Sequence, residues 1–186
     1  MSRIGIFFGT DTGRTRRVAK DLAKRLGDGA AAPVNISKAA PQDLLAFDAL
    51  ILGTPTLGEG AVPGLDTGCS TESWLEFLPK AANLDLTGKV VALFGLGDQD
   101  KYGEHFVSAL KPLHDWAIER GARVVGYWST EGYDFIESEA VVEGHFLGLA
   151  LDQHNQAADT EARLTAWLEQ ITPALAAGVV AARGAS

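Results

Sequence analysis

Three short apolar runs, each closed by a glycine, constrain this chain more than any other feature. They are RIGIFF at 3–8 with Gly9 after it, ALILG at 49–53 and VVALFG at 90–95. Each is too short for an ordinary helix and too apolar for a strand with one wet face. Each therefore reads as a strand buried on both sides, the kind found in parallel sheets. Parallel neighbours need a crossover, usually a helix, and the intervening sequence supplies them. Val18, Leu22 and Leu26 recur at helical spacing beside Ala19 and Ala23, with Gly27 placed to stop the helix. STESWLEFLPK at 70–80 reads as a helix capped by Ser70 or Thr71. An amphipathic stretch from Glu104 to Arg120, stopped by Gly121, predicts another helix, kinked or restarted at Pro112. Leu164, Trp167, Leu168 and Ile171 mark a closing helix begun near Asp159. APVNI at 32–36, a weaker strand, and ARVVGYW at 122–128 complete the pattern.

Strands alternating with helices predict an α/β, doubly wound parallel sheet covered on both faces. The 186 residues suit one domain, expected over 1–173. The tail ALAAGVVAARGAS at 174–186 either extends the last helix or frays. Composition is that of a folded globular chain, 46% apolar and 22% charged. A net charge of −8 disfavours nucleic acid and anionic membranes. It would attract a basic protein partner, or serve solubility alone. One cysteine, Cys69, excludes a disulfide framework or a cysteine-only metal site within one chain, and the four histidines lack metal-ligand spacing. The chain opens directly on its first strand, and no apolar run reaches the ~18 residues of a membrane span. A cytoplasmic protein is expected.

Sheets of this class bind ligands beyond the carboxyl ends of their strands. Attention falls on the loops 9–15, 54–60 and 96–105. The first, GTDTGRT, departs from the nucleoside-triphosphate loop: three residues separate Gly9 from Gly13, and Arg14 stands where lysine belongs. It also lacks the dinucleotide spacing GxGxxG. What remains is Thr10, Thr12 and Thr15 around Gly13 at a helix start. Hydroxyls and helix N-terminal amides suit a compact terminal monophosphate best, although a strand-to-helix turn with threonine caps has the same composition. TPTLGEG and LGDQDKYGEHF add backbone amides and one bulky contact each, Leu57 and Tyr102. A planar ring between them would gain about 0.5–1.5 kcal/mol from the aromatic contact beyond burial.

FFGTDTGRT, LILGTPTLGEG, ALFGLGDQDKYGEHF and FLGLALDQHNQ together resemble the long-chain flavodoxins, in register from about residue 3 to about residue 172. TPTLGEG and ESWLEFLPK are most like the flavodoxins associated with nitrogen fixation. The resemblance implies a five-stranded flavodoxin-like sheet of order 2-1-3-4-5, with an insertion near 128–145 splitting the last strand. It implies FMN held tightly without a covalent bond. Thr10, Asp11, Thr12, Gly13, Arg14 and Thr15 would hold its phosphate. Thr54, Pro55, Thr56, Leu57 and Gly58 would face one side of the ring and Tyr102 the other. Leu96, Gly97 and Asp98 would line the pyrimidine edge, with Gly95 counted among them, and Asp152 would contact the ribityl chain. Leu57 replaces a tryptophan common in long-chain relatives, which weakens one stack. His105 replaces a common asparagine. Beside the ring it would make the potential pH-dependent; in the first turn of a helix it would be solvated.

The implied function is a low-potential, one-electron carrier rather than an enzyme. Gly58 would let the 57–58 peptide present its carbonyl to N5–H of the neutral semiquinone. A cation-poor pocket in a protein of charge −8 would disfavour the reduced flavin anion. The implied acceptor is nitrogenase reductase and the donor a flavodoxin-reducing oxidoreductase. An acidic rim of Glu59, Asp66, Glu72, Asp98, Asp100 and Glu104 would dock a basic patch on a monomeric carrier. A general-purpose flavodoxin, or an FMN-dependent quinone reductase on the same fold, are the alternatives. No catalytic acid–base pair favours the latter. A receiver-like signalling module is disfavoured by GTPT at 53–56, where it would place an aspartate.

Overall fold

The computed structural model describes residues 3–10 and 12–184, with backbone alone at 179–183. Strands β1 (Ile4–Phe8), β2 (Val34–Asn35), β3 (Ala49–Pro55), β4 (Val90–Leu96) and β5 (Arg123–Val125) form a parallel sheet of order β2-β1-β3-β4-β5. Helices α1 (Arg14–Leu26), α2 (Trp74–Lys80), α3 (Leu110–Glu119) and α4 (Thr160–Gly184) cover it. Between β5 and β9 (Leu149–Leu151) lies the insertion. It carries β6 (Trp128–Ser129), β7 (Val141–Val142) and β8 (His145–Phe146) as a small antiparallel sheet of order β6-β8-β7. β5 pairs with Val90 to Ala92, and β9 pairs in parallel with Phe94 to Leu96. The last position of the sheet is thus filled by two separate segments, as the resemblance implied.

Period-two alternation of side chains sorts the strands onto two cores. Ile4, Ile6 and Phe8, Ala49 and Ile51, and Val90, Ala92 and Phe94 meet Val18 and Leu22 of α1 and Leu164, Trp167 and Ile171 of α4. Phe7, Leu50, Leu52, Val91 and Leu93 face α2, α3 and the insertion. Three buried indoles find carbonyls: Trp74 donates to Gly53, Trp116 to Ala81 and Trp167 to Gly126. Gly53 is required by close approach, because a Cβ there would lie 2.0 Å from the Phe94 ring.

Three boundaries differ from expectation. α2 starts at Trp74, with Ser73 rather than Ser70 or Thr71 as N-cap. The Glu76 carboxylate fixes it there, accepting from Ser73 N and Leu65 N, each at 2.8 Å. The helix expected from Glu104 begins only at Leu110. Residues 103–109 instead bond to the insertion: Phe106 N donates to Glu137 O, Glu139 N to Ser108 Oγ and Ser138 Oγ to Phe106 O. Val107 also takes φ +48°, which interrupts a helix. Pro112 then falls in the first turn, where amides have no intrahelical acceptor, so it causes no kink. Finally, ARVVGYW is not one strand. Gly126, at φ +87°, turns the chain between β5 and β6.

α4 continues the closing helix to Gly184. Among the described residues, no helix is long and apolar enough to cross a membrane.

Candidate functional site

The loops after β1, β3 and β4 converge beyond the carboxyl ends of those strands, as the parallel topology requires. They enclose a cavity of about 390 Å³, within the usual range for small-ligand sites. Thr12, Arg14 and Thr15 line it from the first loop, Pro55, Thr56, Leu57 and Gly58 from the second, and Leu96, Gly97, Asp98 and Tyr102 from the third. Asp11 lies outside the described residues.

The first loop is built for an anion. Thr10 Oγ1 accepts from Gly13 N at 3.0 Å, which shapes the turn. Gly13 takes φ +89° and a Cβ there would meet nothing, so glycine is needed for conformation alone. α1 follows at once, presenting first-turn amides with no intrahelical acceptors. Thr15 is 1% exposed, and its hydroxyl has no hydrogen-bond partner. A buried hydroxyl without a partner is costly unless something arrives to accept its proton.

The second loop is a tight turn in which Leu57 N donates to Ala61 O and Ala61 N donates to Leu57 O, both at 2.9 Å. Gly58 takes φ +49° and Gly60 φ +94°. Thr54 and Thr56 hold the backbone. Thr54 Oγ1 donates to Pro55 O, and Thr56 Oγ1 accepts from Ala109 N. In the third loop the Asp98 carboxylate accepts from Asp100 N, Lys101 N and Asn155 Nδ2. Burial alone would raise this carboxyl. The Lys101 and Asn155 donors, the nearby His154 and the Asp100 amide outweigh that and hold it below the usual carboxylate range. Tyr102 is exposed, with the Lys101 ammonium 5.2 Å from its ring centroid.

Several expected residues support the cavity without lining it. Thr10, Gly13 and Thr54 are framework. At Gly95 a Cβ would meet Leu110 at 2.9 Å, so this glycine lets α3 pack closely. His105 lies behind the second loop, Nδ1 being 3.6 Å from the Cβ position of Gly60, and is part-buried outside any helix. Asp152 is fully buried and accepts from Gln99 N, His154 N, Asn155 N and Asn155 Nδ2. It ties its own loop to the one after β4.

Three lining residues escaped the sequence reading: Lys101, Gln153 and His154. The signal was present in LDQHNQ, where an aspartate followed by a turn reaches forward to amides two and three residues on. Such an aspartate is spent on the backbone, leaving its successors to face the ligand. With Arg14 and Lys101 on its wall, the pocket is not cation-poor, which corrects that expectation.

Residues 6–167 match the family model for flavodoxin. The chain belongs to the flavodoxin family. A flavodoxin of Klebsiella pneumoniae is 54% identical over 92% of this chain and 97% of its own length. One of Enterobacter agglomerans is 51% identical over 94% and 99%. Among solved structures, the Fusobacterium nucleatum flavodoxin bound to flavin mononucleotide superposes with a TM-score of 0.83 at 34% identity, covering 93% of this chain and 98% of that one. Flavodoxins are electron-transfer proteins rather than enzymes, with FMN as cofactor. This chain's residues fit that group. The unpartnered Thr15 hydroxyl and the α1 amides suit a phosphate, and Leu57 and Tyr102, which both line the cavity, suit contact with a flat ring.

Proposed function

We propose that this flavodoxin is a low-potential, one-electron carrier that donates to nitrogenase reductase and is recharged by a flavodoxin-reducing oxidoreductase. In this reading residues 1–173 form a single FMN-binding domain, 174–186 are a tail of which 174–184 continue the last helix, and the protein works as a cytoplasmic monomer. The observation that carries the cofactor assignment is the buried, unpartnered Thr15 hydroxyl at the start of α1, on the wall of the cavity. Bound FMN supplies the redox chemistry. Thr12, Arg14 and Thr15, with the Thr10–Gly13 turn, hold its phosphate. Leu57, Gly58 and Tyr102 flank the ring; Leu96, Gly97 and Asp98 take its polar edge, while Asp152 acts through the loops it joins.

With FMN bound, the 57–58 carbonyl would be the backbone group available to accept a hydrogen bond from the ring. That carbonyl accepts from Ala61 N, so serving the ring means turning the peptide over and giving up that bond. Gly58, already at positive φ, makes the turn cheap. Low potential follows from adding negative charge to a protein of net charge −8. Likeness of TPTLGEG and ESWLEFLPK to nitrogen-fixation flavodoxins supports the acceptor.

An anaerobic reductive titration followed by absorbance tests the carrier reading. A yellow protein passing through a stable blue one-electron form, fully reduced only at very low potential, is expected. Direct two-electron reduction would replace this reading with a flavoenzyme. The acceptor is tested by supplying the reduced protein as sole donor to nitrogenase reductase. Failure there, with other reductases served, would make it a general-purpose flavodoxin.

A further inference from the structure

Arg14 opens α1 and His154 follows β9, 140 residues later, yet the Arg14 Nη1 and His154 Nε2 atoms are hydrogen-bonding partners on the cavity wall. A guanidinium has donors only, so Nε2 must supply a lone pair, and the proton of the neutral ring sits on Nδ1. That atom lies 4.0 Å from Asp98 Oδ2. Among the described residues, the charged groups near the ring also include Lys101, which lines the same cavity, and Asp152, whose carboxylate is occupied by the amides of its own and the neighbouring loop. His154 is half exposed and open to solvent protons. Protonation would place hydrogen on Nε2, abolish its acceptor role and set two cations face to face. The imidazolium keeps a counter-charge in Asp98, whereas Arg14 loses its contact with the ring.

We propose that Arg14 and His154 form a latch across the phosphate end of the cavity, closed while the imidazole is neutral and released when it is protonated. The inference rests on the FMN reading of that cavity. Closed, the latch holds Arg14 in place beside Thr12 and Thr15 and slows ligand exchange. Open, it frees that end.

Dissociation of FMN, followed by the return of flavin fluorescence on dilution at about pH 8 and about pH 5.5, brackets ordinary imidazole titration. The native protein is expected to release FMN several-fold faster at the lower pH. His154→Gln keeps an acceptor for Arg14 but cannot titrate, so it should be slow at both. His154→Ala should be fast at both. A glutamine variant that follows the native pH dependence, or an alanine variant as slow as native at the higher pH, overturns the latch. Nitrogen shifts of the His154 ring in the apoprotein give a second readout that needs no flavin. An Nδ1–H tautomer that is lost in Arg14→Ala is expected, and an Nε2–H tautomer overturns the latch. Absence of any FMN binding would instead remove the reading of the cavity, while these shifts still report on the contact.

Discussion

Thr15 keeps its hydroxyl buried without a hydrogen-bond partner on the wall of the cavity, whereas three buried indole N–H groups all find carbonyls. Replacing it with valine conserves shape and removes the orphan, so the apoprotein should be at least as stable. A hydrogen bond to a charged group contributes roughly 1.5–3 kcal/mol. Thr15→Val is therefore expected to weaken FMN binding by about ten- to a hundredfold and to leave riboflavin binding unchanged. Fluorescence titration of both flavins checks this, and an equal loss for both would place the hydroxyl away from the phosphate. The same scale shows what a sequence can disclose about a site. Thr15 and Gly13 were legible because residue type alone suggests the chemistry. His154 was not, because its meaning lies in Arg14, which only the folded sheet brings near.

At the scale of elements, α2 is anchored by one carboxylate. Glu76 joins the helix start to the preceding loop through Ser73 N and Leu65 N. Burial would raise its pKa, but those two amides, its own amide and Lys80 lower it overall. A depressed carboxyl adds stability that is complete above the ordinary range near ~4.3 and is lost as pH falls through the folded value. Glu76→Ala is expected to cost about 1–2 kcal/mol at neutral pH. That difference from the native protein should shrink below about pH 4, as read by chemical denaturation across pH. A difference independent of pH would remove the carboxylate from the cap. The central strands and α1 were legible because apolar runs and helical spacing are local signals. The start of α2 and the late start of α3 were not. Both depend on bonds from elsewhere: Leu65 to Glu76 in one case, the insertion to Phe106 and Ser108 in the other.

Across the whole molecule charge is unevenly placed. α1 carries Arg14, Arg16, Arg17, Lys20, Lys24 and Arg25 against a single Asp21. Glu59, Asp66, Glu72, Asp100 and Glu104 are exposed on the loops that follow β3 and β4. A basic partner approaching the ring would be steered by the second group and repelled by the first. Its reduction rate should fall as salt rises past about 0.1 M, where the screening length is about 10 Å. Charge reversal at Glu59 and Glu104 should lower the low-salt rate and flatten its salt dependence. An unchanged rate would move the docking face elsewhere.

The division of the last strand governs the order in which the sheet assembles. β5 follows α3 directly and closes on the amino-terminal half of β4. β9 reaches the carboxyl-terminal half only after the chain has travelled through the whole insertion. Longer closures cost more entropy and come later in folding. The half bearing the flavin loops is therefore the last to zip and the first to unzip. In the apoprotein, amides of residues 94–96 and 149–151 are expected to exchange with solvent before those of 90–92 and 123–125. Adding FMN should protect the first group far more than the second. Flavin would then act as the fastener of its own binding edge, so that cofactor supply sets how much of the chain reaches its finished form.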